Sequence, residues 1–282
     1  MRLLRFGLPG QEKWGVVDAG GFARELPGDA LSSLTAPTCA SIDALSNIDL
    51  SSLPIVPSNT RLGPPVVNCR KIICVGLNYS EHARESGAES PKEPILFMKA
   101  ASALCGPHDD ILMPRGCTKL DWEVELAVVI GRSGRDIKEN EARAHVAGFS
   151  IINDVSERAF QLEGTGQWVK GKSADTFAPL GPWLVTTDEI ADPGNLALWL
   201  DVNGSRRQNS STQCMIFGVD SLISYVSQFM SLHPGDIIAT GTPAGVGLGM
   251  NPPSYLNAGD VVELGITGLG MQRQTVRNPH HP

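Results

Sequence analysis

The sequence predicts a mixed, β-rich α+β fold, and three observations carry that prediction. Short strand-like runs far outnumber helical candidates, so strict strand–helix alternation is disfavoured. The 282 residues include 30 Gly and 20 Pro, about 18% together against a usual ~12%, which implies many turns. Aromatic residues make up only 6%, so the core must be built mainly from Val, Ile, Leu and Ala. At roughly 150 residues per domain, the length allows two domains or one large one, with ample material for a buried core.

Taken in order, Arg2–Phe6 and Trp14–Asp18 read as short strands, with turns at Pro9-Gly10 and Gly20-Gly21. Pro54, Pro57, Pro64 and Pro65 then punctuate a linker, because each fixes φ and discourages helix in the residue before it. These features define a small amino-terminal domain over 1–65 and a larger domain over 66–282. In the larger part, Ile72–Val75 is a compact apolar run ending at Gly76, and Asn78–Glu85 has helical character. Further strands are expected at Ile95–Met98, Glu123–Ile130, Phe149–Asn153, Trp183–Thr186, Leu196–Val202, Asp236–Thr240 and Val261–Ile266. Helices are expected at Glu139–Val146, Ser156–Glu163 and Val219–Phe229. No repeat of fixed period and no low-complexity tract interrupts this order.

Twenty-three Lys and Arg against 30 Asp and Glu leave a net charge of -7, which argues against a nucleic-acid binder, since neutralising phosphates needs a basic face. No apolar stretch follows the basic Met1–Phe6 segment as a signal peptide requires, and no run is long enough to span a membrane. The six cysteines lack C-x-x-C spacing, and His280-His281 read as a frayed tail. A cytoplasmic location with reduced thiols is the expectation.

Chemistry concentrates in Asp121-Trp122-Glu123-Val124-Glu125-Leu126. Alternation along a strand puts Asp121, Glu123 and Glu125 on one face, entering an apolar interior where carboxylates need a counter-charge. Oxygen ligands favour Mg²⁺, Mn²⁺ or Ca²⁺ over zinc; the alternative is an edge strand whose acids face water. Asp154 ends the next apolar strand, either as a third acid of that cluster or as the cap of the helix that follows. Arg158 and Gln161 lie four and seven residues beyond it, tending toward one helical face where an oxoacid can dock. His82 and Glu85 have the i,i+3 spacing of a water-activating dyad or of a surface pair. Lys172, in the turn-rich Lys170–Pro182 segment, is either solvated or placed to stabilise an oxyanion. Thr242 lies in the Gly/Pro loop after Asp236–Thr240, where backbone N–H groups can hold a carboxylate; the loop does not match a P-loop.

Five blocks in this order resemble the fumarylacetoacetate hydrolase family over about three-quarters of the chain, from Lys71 to roughly Arg273. They are Gly76-Leu77-Asn78-Tyr79 with His82 and Glu85; Asp121 to Leu126; Asn153-Asp154-Val155-Ser156 with Arg158 and Gln161; Lys172 to Phe177; and Thr240 to Gly247. The resemblance implies a β-sandwich roll for the carboxyl-terminal domain, a small amino-terminal domain and a homodimer or tetramer. It also implies that Glu123, Glu125 and Asp154 hold Mg²⁺ or Mn²⁺ and that the His82–Glu85 segment is a lid. Leu3 to Lys13 and Gly106 to Asp110 are similar to the bacterial subgroup of 2,4-diketo-3-deoxy-L-fuconate and -rhamnonate hydrolases, members of which also carry the ureidoglycolate lyase name.

The implied activity is hydrolytic cleavage of the C3–C4 bond of a 2,4-dioxo acid to pyruvate and a second acid such as lactate. In that scheme His82, Glu85 and Lys172 are catalytic and Arg158, Gln161 and Thr242 bind substrate, while Tyr79 and Lys99 are left unassigned. Competing readings are an oxaloacetate decarboxylase, an acylpyruvate or fumarylpyruvate hydrolase, a ureidoglycolate lyase, an isomerase or tautomerase of related oxoacids, and a silent sugar-acid-binding protein.

Overall fold

Two stretches that are apolar on both faces set the centre of the molecule, because neither can be exposed on either side. In the computed structural model, which describes residues 1–27, 38, 42, 45 and 48–278, both stretches are strands buried along their whole length. Cys39 and His280-His281 lie outside the described residues.

In chain order the strands begin with β1 (Arg2–Phe6), β2 (Lys13–Val17), β3 (Ala23–Glu25), β4 (Leu62–Gly63), β5 (Ile72–Gly76) and β6 (Ile95–Lys99). Then come β7 (Leu104–Cys105), β8 (Ile111–Leu112), β9 (Leu120–Asp121), β10 (Val124–Ile130), β11 (Val146–Asn153) and β12 (Ser156–Glu157). The last are β13 (Ala178–Thr186), β14 (Ala197–Val202), β15 (Ser205–Ser211), β16 (Ile237–Ala239), β17 (Val261–Ile266) and β18 (Gly270–Arg277). Among them lie short helices α1 (Ser80–Glu85), α2 (Arg158–Leu162) and α3 (Val169–Lys172), and the longer α4 (Val219–Phe229).

The main sheet runs β3-β2-β1-β13-β11-β10-β16-β5-β6, with β4 added on β1 and β7 on β13. A second sheet, β15-β14-β17-β18-β8, lays β14, β17 and β18 against β10, β11 and β13. This is the β-rich α+β arrangement expected from the sequence, with two sheets closing over one apolar core. The division drawn at 65/66 falls between β4 and β5. Across it, β1 pairs antiparallel with β13, and Leu3, fully buried, belongs to the same core cluster as Val128 and Leu184.

Several local readings differ from expectation, and the segment expected to be turn-rich over Lys170–Pro182 includes the end of α3 and the start of β13. Glu139–His145 is a 3-10 turn rather than an α-helix. Ser156–Glu157 pairs as a strand with β9, so the helix after Asp154 starts only at Arg158, and its cap is Glu157, whose carboxylate accepts from the Ala159 N–H. Strands β15 and β18 escape a reading by hydrophobic periodicity because the side chains they bury include Gln208, Gln272 and Gln274. No helix among the described residues is long and apolar enough to cross a membrane.

Because Leu3 fills the common core, Leu3→Ala is expected to lower stability by about 2–5 kcal/mol. Urea unfolding followed by far-UV and near-UV signals together checks this; a loss under 1 kcal/mol would show that Leu3 adds little to the common core.

Candidate active site

The site follows from the pairing of β10 with β11. Their register sets Glu125 opposite Ile152 and Val124 opposite Asn153. Directly opposed residues share a face and alternate residues share a face, so Glu123, Glu125 and Asp154 all project to the same side. Two hydrogen bonds lock the ends of the pair, from Asp154 N–H to the Glu123 carbonyl (2.9 Å) and from Glu123 N–H to Asn153 Oδ1 (3.1 Å). One oxygen from each of the three carboxylates lies within 4.8 Å of the others, and all three residues are buried. An all-oxygen, carboxylate-rich donor set of this kind suits a hard divalent cation.

Buried carboxylates require compensation, and the fold supplies most of it. Lys172 Nζ donates to Glu123 Oε2 and to Asp154 Oδ2, both at 2.8 Å. Lys99 Nζ donates to Asp154 Oδ1 and to the Val155 carbonyl. Arg158 donates from Nη2 to Glu123 Oε1 (2.6 Å) and from Nε to Asp121 Oδ2 (2.8 Å). Burial works to raise the Glu123 carboxyl, but Lys172 and Arg158 outweigh it and hold the group down at about 2. Glu125 is different: its polar partner is the Gly241 N–H, which reaches Oε2 at 2.8 Å. Burial, then the charges of Asp154 and Glu123, push its carboxyl well above the usual range. Four carboxylates, Asp121 included, thus share three cations, Lys99, Arg158 and Lys172. Glu125 is the member of the four that none of these cations contacts. A divalent cation fits the donor set and would add the positive charge that binding an anionic substrate requires.

The second half of the site is carried by the loop after β16. Gly241 and Gly245 have φ of +94° and +105°, which favour glycine, and both donate N–H groups to carboxylates. A Cβ on Gly245 would meet the Arg207 carbonyl at 2.0 Å. Gly245 N–H reaches both oxygens of Glu85 (3.1 and 2.9 Å), and Glu85 Oε1 lies 2.8 Å from His82 Nδ1. The loop is anchored in turn by Asp121, whose Oδ1 accepts from Gly247 N–H (2.7 Å) and whose Oδ2 accepts from Leu248 N–H (2.9 Å). Asp121 therefore joins the Arg158–Glu123 pair to the loop that seats the dyad.

His82, Glu123, Glu125, Arg158, Gln161, Lys172 and Thr242 line one cavity of about 210 Å³. Glu85 stands behind His82, and Asp154 is buried beneath the lining, held by Lys172 and Lys99. Lys172 is buried on α3, not in a loop, whereas Lys170 is exposed and bonds Thr165 Oγ1. Thr242 Oγ1 donates to the Val124 carbonyl and accepts from Gln208 Nε2. Arg158 Nη1 donates to Gln161 Oε1 at 3.0 Å, an i,i+3 contact. Sequence reasoning left two members of the ion network without a role, Asp121 and Lys99. Asp121 has the right strand parity, and that signal was visible; Lys99 ends a strand of otherwise ordinary pattern.

Residues 71–277 match the model of the fumarylacetoacetate (FAA) hydrolase C-terminal family. The chain belongs to the fumarylacetoacetate hydrolase family. A relative from Burkholderia ambifaria whose hydrolase name is provisional is 51% identical over 286 residues, spanning 99% of each chain. Among solved structures, the family's fumarylacetoacetate hydrolase from Exiguobacterium antarcticum is 38% identical with a TM-score of 0.85, over 99% of this chain and 100% of that one. The 2-hydroxyhepta-2,4-diene-1,7-dioate isomerase from Mycobacterium marinum is 32% identical with a TM-score of 0.78, over 100% of both chains. Maleylpyruvate hydrolase from Sphingobium sp. SYK-6, solved with manganese(II) and pyruvate, is 29% identical with a TM-score of 0.79, over 99% and 100% of the two chains. The family contains both hydrolases and isomerases, so membership makes the chain an enzyme of this group without naming its substrate.

Glu125→Gln keeps the shape of the triad but removes the one carboxyl group that no cation of the network contacts. It is expected to fold normally and to lose Mn²⁺ or Mg²⁺ affinity by more than the ~10–100-fold typical of losing an outer hydrogen-bond partner, read by titration calorimetry. Unchanged affinity would remove Glu125 from the ligand set. Asp121→Ala leaves Arg158 and two loop N–H groups short of a partner, and about 3 kcal/mol of stability should be lost, measured by chemical denaturation.

Proposed function

We propose that the protein is a divalent-metal-dependent hydrolase that cleaves the C3–C4 bond of a 2,4-dioxo acid, releasing pyruvate and a second acid. The observation that carries this reading is the joining of a buried three-carboxylate cluster to a His–Glu dyad on one cavity. The related maleylpyruvate hydrolase, crystallised with manganese and pyruvate, supports both the metal class and the product. Within this class 2,4-diketo-3-deoxy-L-fuconate and -rhamnonate are the candidate substrates, and lactate would be the second product.

Glu123, Glu125 and Asp154 would hold Mg²⁺ or Mn²⁺, which when bound supplies Lewis acidity and a template for the substrate's carboxylate and 2-oxo oxygens. Glu85, fixed by the Gly245 N–H, accepts from His82 Nδ1–H and so leaves the other ring nitrogen as the basic atom. That nitrogen takes a proton from water as the water oxygen adds to C4. The C3–C4 bond then breaks, its electron pair delocalising from C3 toward the C2 oxygen, and the C4 fragment leaves as the acid. Lys172, with its ammonium buried beside Glu123 and Asp154, favours the negative charge that develops there. Protonation at C3 gives pyruvate. Arg158 and Gln161 orient the acid, and the chain acts as a homodimer or tetramer, which sedimentation would establish.

An isomerase reading is favoured by the Mycobacterium marinum neighbour, and product analysis separates the two because isomerisation keeps the carbon count. Incubation with 2,4-dioxo acids and Mg²⁺ should release pyruvate, and chelation should stop it until metal is restored. His82→Ala is expected to lower kcat by about 10²–10⁴-fold with Mn²⁺ affinity unchanged. Products of unchanged mass, or no pyruvate from any 2,4-dioxo acid, would overturn the hydrolase reading.

A further inference from the structure

We infer that the substrate's far end, beyond C4, is uncharged and rich in hydrocarbon, so that the acid released with pyruvate carries only the carboxylate made in the reaction. The inference rests on the 2,4-dioxo acid reading and deepens it.

Its first support is the use to which the lining cations are put. The cavity is lined by two permanent cations, Arg158 and Lys172, and both are committed. Arg158 is shared by Asp121, Glu123 and the Gln161 oxygen; Lys172 is shared by Glu123 and Asp154. Both sit at the carboxylate cluster, where the oxoacid end would bind. Arg84 and Lys170, on the neighbouring helices, are exposed and lie outside the lining. Among the described residues the lining offers a second carboxylate no uncommitted Lys or Arg, and burying an unpaired carboxylate is strongly unfavourable.

The second support is the rest of the lining: Val75, Phe97, Leu162, Trp168 and Leu248 make most of it apolar, and Ser86 adds a neutral hydroxyl. Trp168 meets Phe97 edge to face with ring centroids 5.2 Å apart, and Lys172 Nζ lies 5.0 Å from the Phe97 ring centre. The apolar wall therefore begins directly beside the charged end. It is also shaped by backbone: a Cβ on Gly76 would come within 2.8 Å of the Trp168 ring, so the absence of a side chain there lets the indole approach β5 closely. Leu162, 45% exposed at the rim, is an apolar side chain left without cover. A hydrocarbon group bridging Leu162 and Trp168 would remove that surface from water.

Gln161 makes a polar provision. Its Oε1 accepts from Arg158, and its amide NH₂, which has no partner among the described residues, can donate to a neutral oxygen on the acyl part. A carbonyl or hydroxyl is thereby accommodated, whereas a carboxylate would meet a neutral donor in apolar surroundings.

The test compares kcat/KM for 2,4-dioxo acids bearing methyl, phenyl or 1-hydroxyethyl beyond C4 with fumarylpyruvate and maleylpyruvate, in the presence of Mg²⁺. The uncharged acids should be cleaved at least about tenfold better. Leu162→Arg, at an exposed rim position, should raise kcat/KM for the carboxylate-ended acids by about tenfold. Equal or better turnover of fumarylpyruvate by the unaltered protein would overturn the inference while leaving the hydrolase reading intact. Silence on every acid would sink the hydrolase reading instead. Calorimetry with Mn²⁺ then still decides the inference: 2-oxo-4-phenylbutanoate binding about tenfold more tightly than 2-oxohexanedioate upholds it, and the reverse order overturns it.

Discussion

The burial of four carboxylates at one end of two central strands is the constraint on which the rest of this structure depends. Asp121, Glu123, Glu125 and Asp154 are all nearly inaccessible to solvent. Such a cluster persists only where its charge is answered by cations, hydrogen bonds or a metal. Lys99 from β6, Arg158 from α2 and Lys172 from α3 are drawn in from three separate elements to meet that demand. The ion network therefore ties β6 and two helices to the paired strands β10 and β11.

Neutral donors complete what the cations begin. The second sheet presents buried amides rather than aliphatic side chains where it faces the ends of β10 and β11. Gln208 accepts from Val124 N–H and donates to Thr242 and the Pro243 carbonyl. Asn153 receives the Glu123 N–H and donates to Gln274, which is itself linked to Gln272. These bonds satisfy backbone groups freed where the ladder stops, and they hold Glu123 and Asp154 in register. Asp121 extends the same network into the Gly-rich loop, so that the dyad on α1 is positioned by the residues that position the triad.

Much of the site could be read along the chain because its signals are local. Strand parity placed Asp121, Glu123 and Glu125 on one face, and the end of an apolar run marked Asp154. The i,i+3 spacing of His82 and Glu85 was visible for the same reason. Local signals misled where two local structures compete: after Asp154 a helix cap was open, yet Ser156–Glu157 pairs with β9 and the cap falls to Glu157. Periodicity also passed over β15 and β18, because glutamine in an inward position looks like surface until its partner is known.

Composition and pattern by themselves determined a β-rich body and marked a carboxylate-bearing strand, leaving open whether its acids face the interior or water. Each of those depends on neighbours in the chain, and their order matched the family. Tertiary structure alone decided which cations answer the carboxylates and that Glu125 is left without one. It alone set Trp168, Phe97 and Leu162 around the same cavity. Pairings such as Lys99 with Asp154 or Trp168 with Gly76 join residues 55 and 92 positions apart. Charge compensation and cavity shape are sums over such distant contacts, and no spacing rule along the chain contains them.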